Sequence, residues 1–75
     1  MAKVNKFKTD EWVWYYPFID SEFENLRNDK KRALILAVLK KDNIYDYRIF
    51  IDDGTSKIKK VREKNLLPYE NKLQT

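Results

Sequence analysis

The chain contains no cysteine and no histidine, a single glycine and two prolines. Without cysteine there is no disulfide framework, and without either residue the ordinary zinc sites are excluded. The same two absences remove nucleophile–base pairs built on histidine or cysteine. A glycine-rich phosphate cradle is ruled out because Gly54 stands alone. Long apolar runs are missing too. The longest, Ala33–Leu39, falls far short of the ~20 residues that span a bilayer. The basic start MAKVNKFK is followed by no apolar stretch, so no signal peptide is expected. The expected setting is cytoplasmic, or nuclear or nucleoid-associated, and not secreted.

Seventy-five residues make one domain at most. A chain of this length buries only about 60–65% of the surface its unfolded form exposes, and no staple assists the apolar core. Aromatic residues make up 15% of the chain and compensate in part, because each buries a large area. The net charge is +4 and the pI about 9.3, which permits attraction to nucleic acid or another acidic surface without requiring it.

The organising stretch is Ile44–Val61. Tyr45, Tyr47, Ile49 and Ile51 alternate with Asp46, Arg48, Phe50 and Asp52, the period of a half-buried strand. Asp53-Gly54 supplies the positive φ angles of a two-residue hairpin turn, and Ile58 then points inward between the outward Lys57 and Lys59. Upstream, Asp10–Tyr16 is aromatic and β-branched and is closed by Pro17, which suits a first strand. Val13 and Tyr15 take one face, and Trp12, Trp14 and Tyr16 the other. Ser21 with Glu24 forms a capping-box pattern, so a short helix is expected from Ser21, pinned to the domain by Phe23 and Leu26. Ala33–Leu39 has no clear period. It fits a doubly buried strand, or the end of one helix from Ser21 to Lys41. Lys41-Asp42-Asn43 is a turn with Asn43 suited to a left-handed position. A single 3₁₀ turn over Arg62–Asn65 and a brief strand over Leu66–Tyr69 close the chain.

In order, these segments run aromatic strand, long loop, strand, turn, hairpin, short turn, closing strand. Three stretches carry a family resemblance: Arg32-Ala33-Leu34-Ile35, Tyr47-Arg48-Ile49-Phe50-Ile51-Asp52-Asp53-Gly54, and Val61–Pro68. Together they resemble an SH3-like barrel of the Tudor and chromo-barrel type, over about residues 10–69. The resemblance implies a mainly β fold, a small five-stranded barrel with a short helical insert after strand 1, and it favours a strand over Ala33–Leu39. Residues 1–9 would form a flexible basic arm on which Phe7 docks back, and 70–75 a frayed tail. Tudor-type modules read methylated lysine or arginine through a cage of aromatic rings. Carried onto this chain, the cage would be Trp14, Tyr16 and Phe50. The family's tyrosine before the glycine is Asp53 here, which removes one wall. The alternative places these rings under the insert with Phe23 and Leu26. Ile44-Tyr45-Asp46-Tyr47 looks like the A-L-Y-D-Y motif of true SH3 domains, but too little chain follows it for a proline-rich peptide groove.

Carboxylates offer no chemistry. Asp52 and Asp53 are adjacent and so point to opposite faces of a strand, which suits turn capping and not an acid–base dyad. Asp20, Glu22 and Glu24 lack the spacing and glycine of a calcium loop. No enzyme activity, cofactor, metal or small-molecule substrate is expected. What remains is binding by a monomer or weak dimer, in two forms. A protein partner would dock on Trp12, Trp14, Tyr16 and Phe50, with the acidic 20–29 insert nearby. Alternatively Lys57, Lys59, Lys60, Arg62 and Lys64 would grip a nucleic-acid backbone, with little sequence preference because lysine dominates. Edge strands also carry lysines simply to avoid pairing with other chains.

Overall fold

The computed structural model describes residues 5–69. Five strands build one antiparallel sheet: β1 (Trp12–Tyr15), β2 (Lys31–Val38), β3 (Tyr47–Ile51), β4 (Lys57–Val61) and β5 (Leu66–Pro68). A short helix α1 (Glu24–Arg27) lies between β1 and β2, and a 3₁₀ turn (Glu63–Asn65) between β4 and β5. The order across the sheet is β4-β3-β2-β1-β5, so β1 to β4 form a meander and β5 returns to pair with β1. The sheet is not closed. Pro68 sits at the end of the β5 edge, where a missing N–H costs no ladder bond.

Residues 33–38 are strand, and Leu39 lies just past its end. β2 is the longest element and pairs with β1 on one side and β3 on the other. Its register shifts between Ile35 and Ala37, a bulge that bends the strand where it leaves β1 and continues beside β3. Val13 and Tyr15 are buried and Trp12 and Trp14 face away, as the alternation predicts. The inner face gathers Val13, Tyr15, Ala33, Ile35, Tyr47, Ile49, Ile51, Val61 and Leu66 into one buried cluster to which every strand contributes. Phe7 joins it from the N-terminal side, packing edge-on against Tyr47 at 5.8 Å between centroids. The first four residues of the expected basic arm and all of the expected tail lie outside the described residues.

The hairpin differs from its expected form. Ile51 pairs with Lys57, so residues 52–56 form the connection and the turn is longer than the Asp53-Gly54 pair alone. Gly54 (φ 91°) and Ser56 (φ 56°) both take the left-handed region, and the Asp53 carboxylate ties the loop by accepting from the Thr55 N–H at 3.0 Å. The longer loop resets the register. Phe50 now faces Ile58 and Ile49 faces Lys59, so Ile58, expected inward, lies on the outer face and is 59% exposed. Strand β3 begins at Tyr47, which leaves Tyr45 on the preceding loop and partly exposed.

The insert also departs from expectation. Ser21 does not cap a helix. Its N–H donates to the Phe18 carbonyl, and its Oγ accepts from the Phe23 N–H at 3.1 Å, so the helix starts only at Glu24. Phe23 is 66% and Leu26 40% exposed, and neither pins the insert to the core. Asn43 is not left-handed; Asp10 and Ser56 are the non-glycine residues with positive φ among those described. The Asp42 carboxylate instead closes the β2–β3 connection by accepting from the N–H groups of Ile44 (2.8 Å) and Tyr45 (2.7 Å).

The register makes a direct prediction. Ile49→Ala removes a fully buried side chain and is expected to cost about 2–5 kcal/mol. Ile58→Ala, on the other side of the same hairpin, should stay within about 0.5 kcal/mol. Urea denaturation midpoints of the two variants check the pair, and equal losses would mean the register is wrong.

Candidate functional surfaces

The outer face of the sheet is apolar along one continuous row. Reading across the register, Trp12 lies beside Leu34, Leu34 beside Phe50, and Phe50 beside Ile58, one residue from each of four strands. A second row runs Leu67, Trp14, Arg32. On the opposite flank Arg48 sits between Ala37 and Lys60. Trp12 is 38% exposed and Leu67 also projects into solvent. A hydrophobic stripe of this extent on an antiparallel sheet's solvent side is unusual, since that face normally alternates to polar residues.

Cations border the stripe. The Arg32 guanidinium lies 4.6 Å from the Trp12 ring centroid and 5.9 Å from that of Tyr69, and it also pairs with Asp52. The Lys30 ammonium sits 4.4 Å over Trp14, whose other neighbour is Tyr69 at 4.9 Å. The aromatic residues singled out in the sequence therefore fall into different places. Trp12 and Phe50 share the stripe with β2 between them, and Trp14 sits one row away under Lys30. Tyr16 follows the end of β1, where it exchanges backbone and side-chain bonds with Asn65. Trp14, Tyr16 and Phe50 do not enclose a common space, because β1 and β3 are separated by the width of β2, roughly 10 Å between outer strands. Nor does the insert cover them, with Phe23 and Leu26 exposed. Leu34, Ile58 and Leu67 belong to this surface and were not legible in advance, since each looks like ordinary core until the register is known.

The basic residues also divide. Lys57 and Lys59 are in register with Ile51 and Ile49, on the core side of the sheet, where the edge strand β4 overhangs the buried cluster. They do not share an outward face opposite Ile58, as the two-residue turn implied. The Lys59 ammonium lies 5.7 Å from the Tyr15 ring centroid. Lys59, Lys60, Arg62 and Lys64 nevertheless converge on one groove of about 340 Å³ at the β4 edge, together with Tyr15 and Tyr45. Lys57 lies outside it. Asp20 reaches the rim and pairs with Lys64 at 2.5 Å, while Lys60 approaches Asp42 at 3.8 Å. Among the described residues neither Lys59 nor Arg62 has an ion-pair partner. Glu63, the acidic interruption in this run, turns away from the groove. Its Oε1 accepts from the buried Tyr47 hydroxyl at 2.6 Å and from the Lys6 N–H at 2.9 Å.

Asp52 and Asp53 go to separate partners, Arg32 and Lys31. Among the described residues no cluster of acidic side chains is placed to hold a metal ion, and no helix is long and apolar enough to cross a membrane. In comparisons with protein-family models, curated proteins and solved structures, the chain matches none.

Bonds from the Thr55 hydroxyl and N–H, with the Lys31 ammonium nearby, lower the Asp53 carboxyl to about 2 from its ordinary 3.8. A depressed folded-state value stabilises the loop above the ordinary value, and that contribution is lost as pH falls through about 2. Carboxyl-carbon NMR titration should place the Asp53 midpoint near 2 and move it upward in Thr55→Val. An unchanged midpoint in that variant would remove the Thr55 hydroxyl as a cause.

Proposed function

We propose that the protein is a non-enzymatic binding module whose outer sheet face docks on a protein partner. The carrying observation is the Trp12–Leu34–Phe50–Ile58 row, exposed at Trp12 and Ile58 and half-buried at Leu34 and Phe50, whose remaining apolar surface would gain about 25 cal/mol per Å² covered. Its flanks define the partner. Lys30 and Arg32 on one side and Arg48 and Lys60 on the other favour an apolar ridge edged by carboxylates. Trp12 and Arg32, stacked together, have the chemistry of interface anchors. The strand order, with β5 returning to β1 and a bulged β2 shared between neighbours, supports reading the open sheet as an SH3-like barrel of the Tudor type. The separation of Trp14 from Phe50 argues against a methyl-lysine cage within it.

A second reading is favoured by the groove at the β4 edge. Lys59, Lys60, Arg62 and Lys64 all line it, a density of cations that supports backbone-directed nucleic-acid binding.

Selection of displayed peptides against the protein tests the docking face. Peptides alternating apolar and acidic residues should be enriched, and their binding should fall at least tenfold in Phe50→Ser/Ile58→Lys. Circular dichroism should show that variant folded, since both side chains point away from the core. Undiminished binding, or selection without acidic character, would overturn the assignment.

A further inference from the structure

We infer that the groove at the β4 edge takes an unpaired nucleic-acid strand, with phosphates on Lys60, Arg62 and Lys64 and a base laid on the Tyr45 ring. This rests on the phosphate-binding reading above and adds the strandedness of the ligand. Three observations carry it.

The first is the ring. Tyr45 lines the same concavity as the cations and is exposed, whereas Tyr15 is buried at the groove's base beneath Lys59. A duplex turns its bases inward and leaves such a ring nothing to stack on, while a single strand offers a base face at every nucleotide. The second is pre-organisation. The Tyr45 N–H is held by the Asp42 carboxylate at 2.7 Å, and Asp42 also approaches Lys60 at 3.8 Å. The backbone that carries the ring and a neighbouring cation are thus tied to one side chain before any ligand arrives, which reduces the ordering cost of binding. The third is shape and charge. A volume of about 340 Å³ suits a nucleotide-sized group. With Glu63 turned inward onto Tyr47, the carboxylates against these cations are Asp42 beside Lys60 and Asp20 on Lys64, and the exposed Asp20–Lys64 pair is one a phosphate can displace. Among these cations only Arg62 has the fork that reads base edges, so the strand should be held with little sequence preference.

Fluorescence anisotropy with labelled oligothymidylate and a duplex of equal length, at ~50 and ~200 mM salt, tests this. The single strand should bind at least tenfold tighter than the duplex. Tyr45→Ala should weaken single-strand binding by roughly 5- to 150-fold, the range of base–aromatic stacking, and leave the salt slope unchanged. Tyr45→Phe should restore it. Lys60→Glu/Arg62→Glu should instead flatten the slope by about one to two. Equal binding of both forms, or indifference to Tyr45→Ala, would overturn the single-strand assignment while the phosphate reading stands. Equally effective competition by polyglutamate or polyphosphate, charge for charge, would overturn it in favour of a general polyanion site. No binding of either nucleic acid at the lower salt would sink both.

Discussion

The Tyr47 hydroxyl is the point at which three separate parts of the chain are tied. Its side chain is fully buried at the start of β3. The hydroxyl accepts the Phe7 N–H at 3.0 Å and donates to Glu63 Oε1 at 2.6 Å, and the Glu63 N–H in turn donates to Asp46 Oδ2 at 2.8 Å. Burial and the neighbouring Glu63 raise the phenol's pKa, so it stays a donor across the physiological range. A buried hydroxyl with both roles filled avoids the desolvation cost that an unpaired one incurs. The bond to Phe7 places that ring in the core of a domain too small to spare it. The bond to Glu63 sets the crossover from β4 to β5.

That second bond reaches the groove at the β4 edge. Glu63 lies between Arg62 and Lys64 in sequence and would halve their combined charge if it faced the same way. Drawing its carboxylate onto Tyr47 and the Lys6 N–H leaves the two cations facing the groove together. Core satisfaction and groove electrostatics are therefore one constraint. The other surface follows from the sheet itself. Paired residues share a side, so four strands that each carry an apolar residue at the matching step produce a continuous stripe. The stripe and the groove meet at Lys60, which belongs to β4's outer side and to the groove wall. Two ligands on these surfaces would compete there.

The strands that were most legible are those with a clean period. Val13 and Tyr15 against Trp12 and Trp14, and Tyr47, Ile49 and Ile51 against Arg48 and Phe50, take the sides that alternation assigns. Ala33–Leu39 was legible only through order and resemblance, because Leu34, in the outer row, is as apolar as the buried Ala33 and Ile35 beside it, and no alternation shows. The insert misled because a capping pair needs a helix long enough to use it. In a single four-residue helix, local turns at Phe18 and Phe23 outcompete the cap. The hairpin misled by loop length. With residues 52–56 as the connection and not a two-residue turn, the partners of β3 shift and Lys57, Ile58 and Lys59 change sides.

Composition and periodicity by themselves excluded disulfide and histidine chemistry, marked the first strand and the strand before the hairpin, and named the aromatic and basic residues that reach the surfaces. Those properties are local, set by residue type and by the two-residue repeat of a strand. Tertiary structure alone decided which of those residues meet. Leu34 and Ile58 join Trp12 and Phe50 only through cross-strand register. Lys57 and Lys59 take the core side of the sheet because a loop is longer than its glycine suggests. Glu63 leaves the groove because a buried phenol across the fold needs an acceptor. Register, loop length and the pairing of buried polar atoms depend on residues far apart in the chain, and no local pattern encodes them.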